Sequence, residues 1–325
     1  MASTVARRGP RTMGWLGWTG VGVLVLALSL VVSVSYAMAT NAVALLDNAD
    51  ALFRGNSQIR LVAATQYGAD PQQKLEMFVP AKPVKIGAAP YPIVVFIHGG
   101  GWDSGDPHYY RFIARALVPQ GYAVVLPGYR LYPKARFPGM VEDGAAALRW
   151  VHDHAAALGG DPTRVVLMGH SAGAYNAAML ALDKRWLAHE GLDANQLRGF
   201  IGLAGPYDFL PLDTDATRNS FGNASDLPAT QPIHFARADA PPMLLLTGDA
   251  DKTVFPRNSV ALARAMTDAG RPMQADVLPG LSHTRIIMLM AKPFAGNHAV
   301  LDKVLQFLAA VTAPASSAAV KPTVH

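Results

Sequence analysis

VVLMGHSAGAYN, residues 165–176, is the stretch from which the fold of this chain can be inferred. An apolar run of strand length is followed by Gly-His-Ser-Ala-Gly at 169–173 and then by small residues at helical spacing, which predicts a strand, a sharp turn and a helix. Such a turn pushes the hydroxyl of Ser171 clear of the sheet, towards a base that can activate it. Gly169 and Gly173 lack the side chains that would collide with the neighbouring strand and helix. The alternative is an ordinary glycine-containing turn without a chemical function.

Apolar runs of strand length recur on both sides of this turn and alternate with helical patterns. Besides the run that begins at Val165, the predicted strands are 74–79, 93–97, 122–126, 200–204, 243–247 and 274–278. The predicted helices include 112–120, 141–158, 256–269 and 298–310. This alternation predicts an α/β fold with a mostly parallel sheet and helices on both faces. Ligands bind beyond the carboxyl ends of the strands in such sheets, so reactive side chains are expected there.

A glycine-rich loop, HGGGW at residues 98–102, follows the strand predicted at 93–97. Three consecutive glycines at a strand end allow backbone N–H groups to point into open space, as binding of an oxyanion requires. A loop of this kind accompanies the serine turn in one hydrolase architecture. Trp102 is expected either to line the pocket beside the glycines or to pack in the core, and His98 is expected to brace the loop.

Three reactive residues, Ser171, Asp251 and His283, each follow a predicted strand within a few residues. Their order along the chain, Ser then Asp then His, is the order that this hydrolase architecture uses. The sequence therefore predicts that they form one site.

Other residues compete for the roles of acid and base. Asp249 lies two residues before Asp251, and Asp208 follows the strand predicted at 200–204. His170 adjoins the serine but is expected to point elsewhere, and His298 begins a helix and is expected on the surface. Asp251 is preferred because the acid usually lies a few residues into its loop, and His283 is preferred because the other two histidines are expected away from the site.

Composition excludes several other chemistries. The chain contains no cysteine, which rules out disulfides, zinc–cysteine sites and thiol nucleophiles. The formal charge is +5, but three arginines at the N-terminus account for three of these charges and leave +2, a balance that gives no support to nucleic-acid binding. No metal-ligand spacing occurs, so neither a metal nor another cofactor is expected.

The first forty residues predict a membrane-targeting segment. Residues 15–34 are almost wholly apolar, the chain carries no charge between Arg11 and Asp47, and Trp15 and Trp18 suit a membrane interface. Two outcomes remain open: a retained signal anchor, favoured by the length of the run, or a signal peptide cleaved near Ala39. In both, the rest of the protein is expected outside the cytoplasm, membrane-anchored or released.

The remaining chain divides into three further parts. We expect a helical or linker lead-in at 41–66 and a catalytic domain at 67–311. Within that domain, 205–240 is irregular and is expected to form a cap or binding insert. Residues 312–325 are rich in Ala, Ser and Pro and are expected to form a disordered tail.

The motifs together resemble the α/β-hydrolase superfamily. Within it, the sequence is similar to carboxylesterases related to hormone-sensitive lipase, to feruloyl-esterase-like proteins and to kynurenine formamidases. The matching motifs are Tyr67-Gly68 with Asp70-Pro71-Gln72, HGGGW at 98–102, YRLYP at 129–133, FPGMVED at 137–143, GHSAG at 169–173 and the turns that carry Asp251 and His283. They cover about residues 67–310. Lys134 stands where the family pattern YRL-x-P-E has glutamate, which weakens assignment to the hormone-sensitive-lipase branch.

The resemblance, supported by the spacing, implies a role for each site residue. Ser171 attacks an acyl carbonyl, His283 takes and later returns the proton, and Asp251 holds the imidazole. The oxyanion is expected to bind the N–H of Ala172 together with the N–H of Gly100 and that of Gly99 or Gly101. Trp102 and Tyr207 are expected in the substrate pocket.

The implied function is hydrolysis of carboxylic esters of small to medium acyl substrates through an acyl-enzyme, with a small-molecule ester as the partner. HGGGW also fits the pattern HGGxW of kynurenine formamidases, so hydrolysis of an aryl formamide is the nearest alternative. A hydrolase-fold binding protein that has lost activity is the alternative from another class.

Overall fold

The computed structural model describes residue 29 and residues 43–83, 90–294 and 296–313. The membrane-targeting segment expected at 1–40 and the tail expected at 312–325 lie outside these residues, apart from Ser29, Thr312 and Ala313. Across the described ranges, no helix has the length and apolar character needed to cross a membrane. The chain divides into two units, Met1–Leu45 and Leu46–His325, and the fold described below is that of the second.

An eight-stranded sheet forms the centre of this unit. Its strands are β1 (Ile59–Gln66), β2 (Lys74–Pro80), β3 (Tyr91–Ile97), β4 (Ala123–Pro127), β5 (Gly160–His170), β6 (Gly199–Leu203), β7 (Met243–Gly248) and β8 (Asp276–Leu278). Their spatial order is β1-β2-β4-β3-β5-β6-β7-β8. The β1–β2 and β2–β4 pairs are antiparallel, and all other neighbours are parallel. The predicted α/β fold with a mostly parallel sheet is confirmed.

Helices cover this sheet. They are α1 (residues 43–54, of which 46–54 belong to this unit), α2 (Arg111–Leu117), α3 (Gly139–His154), α4 (Ala172–Leu182), α5 (Lys184–His189), α6 (Asp215–Phe221), α7 (Arg257–Asp268), α8 (His283–Met288) and α9 (Leu301–Thr312). Both α4 and α9 pack against β5 and β6. Every residue of β3, β4 and β6 is buried, as expected for parallel strands whose two faces are covered.

The structure also contains elements that the sequence did not predict. The lead-in at 41–66, which was expected to be helical or a linker, holds α1 and also the edge strand β1, which was not predicted because its residues lack a clear apolar pattern and are half-buried or exposed. Within 205–240, the short helix α6 begins with a capping box between Thr214 and Thr217. Helices as short as α5, α6 and α8 depend on caps and tertiary packing, which periodicity does not reveal.

Candidate active site

Ser171 lies at the sharp turn between the end of β5 and the start of α4. Its backbone has φ +54° and ψ −125°, a conformation that residues other than glycine rarely adopt. Its N–H donates to the carbonyl of Leu203 on β6 at 2.9 Å. The hydroxyl is therefore held beyond the carboxyl edge of the sheet.

The two glycines that flank Ser171 are required by close backbone packing. A Cβ on Gly169 would lie 2.3 Å from the carbonyl oxygen of Gly173. A Cβ on Gly173 would lie 2.1 Å from the carbonyl oxygen of Ile97 and 2.4 Å from that of His98. The steric reason for glycine that the sequence suggested is confirmed at both positions.

Three side chains form a continuous chain of hydrogen bonds at this edge. Nε2 of His283 lies 2.8 Å from Oγ of Ser171, and Nδ1 of His283 lies 2.8 Å from Oδ2 of Asp251. An ionised carboxylate only accepts hydrogen bonds, so the proton of the neutral imidazole sits on Nδ1 and the lone pair of Nε2 faces the serine. This is the arrangement that a base needs in order to take the hydroxyl proton.

The loop after β7 fixes the carboxylate of Asp251. Its Oδ1 accepts hydrogen bonds from the N–H groups of Thr253 and Val254, both at 2.9 Å, and its side chain is fully buried. Its Oδ2 remains available for His283. The imidazole of His283 is 14% exposed and is therefore largely shielded from solvent.

The alternative acids and one alternative base lie elsewhere. Asp249 is exposed and accepts a hydrogen bond from the N–H of Gly280 at 2.7 Å. Asp208 is exposed as well. The imidazole of His298 is 68% exposed and pairs with Asp302 at 3.2 Å. None of the three contacts the Ser–His–Asp chain.

His170 contradicts the expectation that it points away from the site. Its ring centroid lies 5.0 Å from that of His283, and its Nε2 lies 3.1 Å from the carbonyl oxygen of His283. The reason is that β5 ends beside the start of α8, whose first residue is the base, so the last side chain of the strand faces that helix.

The glycine loop offers free backbone donors. Gly100 and Gly101 have φ +122° and +60°. The carbonyl oxygen of Gly100 accepts a hydrogen bond from the N–H of Ser104 at 3.0 Å, which closes a tight turn. No group in the described part of the chain accepts a hydrogen bond from the N–H of Gly100, Gly101 or Ala172. These donors are therefore available to a negatively charged oxygen.

Gly99 and His98 instead brace this loop. A Cβ on Gly99 would lie 2.9 Å from the carbonyl oxygen of His170 and 3.2 Å from Cβ of Ser171, so glycine permits this close approach. His98 stacks on Tyr129 with ring centroids 4.4 Å apart, and its Nδ1 lies 2.8 Å from the carbonyl oxygen of Gly99. Burial lowers the pKa of His98 to about 4, so this brace is neutral at pH 7.

A cleft of about 320 Å³ opens beside Ser171. Its walls come from the glycine loop, the start of α4, the segment 206–217 that includes the start of α6, and the loop after Asp251. The lining residues are Gly101, Trp102, Ser171, Ala172, Pro206, Phe209, Asp213, Thr214, Ala216, Thr217, Lys252, Thr253, Val254, Phe255, Arg257 and Asn258. Most were missed by sequence reasoning, for which the insert at 205–240 and the nearness of 252–255 to Asp251 were the only signals.

The two aromatic residues expected in the pocket have different positions. Trp102 lines the cleft and also packs in the core, edge-on to Tyr175 and Phe221, while its Nε1–H donates to Asn176 at 3.2 Å. Tyr207 does not line the cleft, and its placement in the pocket is corrected. It is fully buried, because the turn after β6 folds its ring back against Gly202.

The size of a cavity does not identify the site here. A larger groove of about 650 Å³ is lined by residues such as Pro162, Arg198 and Val311 and contains none of the three hydrogen-bonded side chains. Within the described ranges, no cluster of three or more His, Asp or Glu side chains is arranged to hold a metal ion.

Two curated relatives are similar to this chain. A probable isoprenylcysteine α-carbonyl methylesterase of Oryza sativa subsp. japonica is 28% identical over 242 residues, which are 68% of this chain and 58% of the relative. The carboxylesterase NlhH of Mycobacterium tuberculosis is 44% identical over 91 residues, 28% of each chain. The chain thus spans less than two thirds of the length of either relative.

A solved structure and a family model agree with these relatives. Inhibited esterase B of Lactobacillus rhamnosis superposes with a TM-score of 0.70 at 26% identity, over 88% of this chain and 96% of that one. Another structure of that esterase holds a tributyrin phosphonate inhibitor. The BD-FAE family model matches residues 75–266, which include the serine and aspartate of the hydrogen-bonded chain. With its α/β-hydrolase fold, the chain therefore belongs to the BD-FAE family.

Proposed function

We propose that this protein is a carboxylesterase-type serine hydrolase that cleaves esters of small to medium acyl groups. The observation that carries this proposal is the chain of hydrogen bonds from Ser171 through His283 to Asp251 beside a cleft. Its relatives and neighbours named as esterases support the same chemistry.

In the acylation step, Oγ of Ser171 attacks the ester carbonyl while Nε2 of His283 takes the hydroxyl proton. The N–H groups of Ala172, Gly100 and Gly101 bind the oxyanion of the tetrahedral intermediate. The intermediate then expels the alcohol, which receives the proton from His283, and leaves the acyl group on Ser171.

In the deacylation step, water takes the place of the alcohol. His283 removes a proton from the water, whose oxygen attacks the acyl carbonyl, and then returns the proton to Oγ of Ser171 as the acid departs. Asp251 stays ionised throughout and stabilises the imidazolium of His283. Its two backbone hydrogen bonds from Thr253 and Val254 keep the carboxylate oriented.

The volume of the cleft supports a limit on substrate size. About 320 Å³ lies at the lower end of ligand pockets, which typically measure about 300–1,000 Å³. Phe209 and Trp102 provide an apolar wall, and Thr214 and Thr217, whose hydroxyl groups bond to each other in the capping box of α6, line the cleft as well. Short acyl chains fit such a cleft better than long ones.

A panel of p-nitrophenyl esters of graded chain length, assayed with the purified full chain beside N-formylkynurenine, tests this proposal. We expect the highest kcat/KM for short and medium esters and no turnover by Ser171→Ala. Faster turnover of the formamide would assign the protein to aryl-formamide hydrolysis, and inactivity on the whole panel would favour a binding protein.

The enzyme is held at, or released beyond, the outer face of the cytoplasmic membrane. The arginines before the apolar run at 15–34 support this orientation, because positive residues stay in the cytoplasm. Protease treatment of spheroplasts, whose cytoplasmic membrane is accessible, should digest the catalytic domain of an anchored protein. N-terminal sequencing of the mature chain then distinguishes a retained anchor from cleavage near Ala39, and full protection from protease contradicts this placement.

A further inference from the structure

His170 is a buried histidine that the proposed mechanism does not use. It is the last residue of β5, directly precedes Ser171 and is 5% exposed. Its ring lies between two parts of the site. On one side it approaches Gly99 of the glycine loop, and on the other it lies beside His283.

The contact with His283 fixes the protonation of this ring. Nε2 of His170 lies 3.1 Å from the carbonyl oxygen of His283, and a carbonyl only accepts, so Nε2 carries the proton and donates it. Nδ1 is then a lone-pair acceptor. In the described part of the chain it is buried without a hydrogen-bond partner, and a Cβ on Gly99 would lie 3.2 Å from it.

An imidazole in this position is costly for the fold. A buried acceptor without a partner loses its hydration and gains nothing in return. Burial, together with a smaller effect of the neighbouring His283, lowers the pKa of His170 to about 3, so the ring is neutral at pH 7. An apolar ring of similar size would fill the same space without this cost. Packing therefore does not explain a histidine here, whereas its single hydrogen bond does.

The helix that begins at His283 is short and has a long cap hydrogen bond. His283 is the first residue of α8, which has only six residues. The side chain of Ser282 caps this helix with a long hydrogen bond, 3.4 Å from its Oγ to the N–H of Arg285. The donor on His170 comes from the rigid end of a central strand, so it ties the short helix to the strand that carries the serine.

We propose that His170 is a positioning residue for the proposed hydrolysis: its Nε2–H holds the backbone of His283 and thereby keeps the base at 2.8 Å from Oγ of Ser171. The inference rests on the proposed esterase function. It concerns the rate of proton transfer and leaves the substrate-binding cleft unchanged, because His170 does not line that cleft.

Three substitutions separate the hydrogen bond from the ring. His170→Gln places an amide N–H near the position of Nε2 and so keeps the donor. His170→Asn places its amide near the position of Nδ1, where it does not reach residue 283. His170→Phe keeps a ring but has no donor. The full chain of each variant is assayed for kcat and KM on the best p-nitrophenyl ester, for the rate of inactivation by a fluorophosphonate and for Tm.

We expect His170→Gln to keep kcat within about threefold of the wild-type value. His170→Asn and His170→Phe should lower kcat and the inactivation rate by about 10- to 100-fold, because misplacement of a reacting group by about 1 Å costs up to about 100-fold in rate. KM should stay unchanged in all three, and the Tm of His170→Phe should not fall. A fall in activity together with unchanged or raised Tm distinguishes positioning from a structural role.

Two results would overturn the inference. One is wild-type kcat in His170→Phe or, if that variant does not fold, in His170→Asn. The other is a loss in His170→Gln as large as that in His170→Asn. Either result, with an active wild-type enzyme, leaves the proposed function intact. A wild-type chain that hydrolyses no ester would instead contradict the proposed function itself.

Discussion

Asp251 and Asp249 are two residues apart, and their carboxylates have different surroundings. Asp251 is buried and contacts Nδ1 of His283, whereas Asp249 is exposed and contacts the N–H of Gly280. Within one short loop after β7, Asp251 is therefore the proposed catalytic acid, whereas Asp249 stabilises the turn at Gly280.

Asp251→Asn tests this distinction. The amide of asparagine donates to Nδ1 of His283, which forces the proton onto Nε2 and removes the lone pair that faces Ser171. We expect kcat on p-nitrophenyl esters to fall by about 10⁴-fold, the loss typical of such triads. Asp249→Asn is the matched control and should retain near wild-type kcat. Equal losses of kcat in both variants would contradict the assignment of Asp251 as the catalytic acid.

Buried histidines predict how stability depends on pH. Burial lowers the pKa of His98 to about 4 and that of His170 to about 3, against an ordinary value of 6.5. Below pH 6.5 the unfolded chain binds protons that the folded chain does not, so acid favours unfolding. We expect each histidine to remove about 1.4 kcal/mol of unfolding free energy per pH unit, from below pH 6.5 down to its folded pKa.

Urea unfolding at pH 7, 6, 5 and 4.5 measures this dependence, with His170→Phe as the comparison. That variant lacks one of the two groups, so its unfolding free energy should fall less steeply with decreasing pH than that of the wild type. If the unfolding free energies of the two proteins fell equally steeply with decreasing pH, the pKa of His170 would be the same in the folded and unfolded chains, which would contradict this account.

At the level of single residues, chain order and spacing were sufficient to bring Ser171, Asp251 and His283 together. They did not predict the direction of side chains at or just beyond a strand end. His170 faces the base although it was expected to point elsewhere, and Tyr207 folds back into the core although it was expected in the pocket. Both outcomes depend on which neighbouring strand or loop lies alongside, and that is a tertiary property.

The turn from β5 to α4 is the element on which the proposed site depends. Gly173 packs directly against the end of β3, where a Cβ would lie 2.1 Å from the carbonyl oxygen of Ile97. This contact involves backbone atoms of a central strand, which do not move aside as the end of a flexible side chain can. A larger residue therefore has to displace α4.

Gly173→Ala tests the steric requirement. We expect a loss of about 1–3 kcal/mol of unfolding free energy, typical of overpacking, together with loss of ester hydrolysis because Ser171 moves with α4. Gly296→Ala is the control, since a Cβ on Gly296 would meet no atom within 4 Å. Urea unfolding and the p-nitrophenyl ester assay report the two effects. Unchanged stability in Gly173→Ala would contradict the close packing.

Long, strongly patterned elements were the ones that the sequence predicted well. The central strands β3, β4, β6 and β7 are apolar runs, and their observed bounds lie within two residues of the predicted ones. Two elements without such a pattern were not predicted. The edge strand β1 has a polar, exposed sequence, and α8 is only six residues long and depends on its surroundings.

At the scale of the whole molecule, buried ion pairs attach α1 to the sheet domain. Arg115 on α2 contacts the carboxylates of Asp47 and Asp50 at 2.5 and 2.6 Å, and its side chain is 3% exposed. Asp50 is fully buried and also pairs with Arg54 at 3.2 Å. Removing the arginine leaves buried carboxylates with too few partners.

Arg115→Met is expected to lower the unfolding free energy by about 3 kcal/mol, the lower end of the cost of breaking a buried pair, because Arg54 still faces Asp50. Ester hydrolysis at low temperature should be retained, since these residues do not line the cleft. Arg149→Met breaks an exposed pair with Asp153 on α3 and should change stability little. Equal effects in the two variants, measured by urea unfolding, would contradict a structural role for the buried network.

The central claim is that the fold activates Ser171 as a nucleophile, and covalent labelling tests it most directly. The folded full chain is treated with a fluorophosphonate, and the adduct is located by mass spectrometry. We expect one adduct per chain, on Ser171, with esterase activity lost in proportion to labelling, and no adduct on urea-unfolded protein or on Ser171→Ala. Ester hydrolysis by folded protein whose Ser171 stays unlabelled, or equal labelling of Ser171→Ala, would contradict the claim.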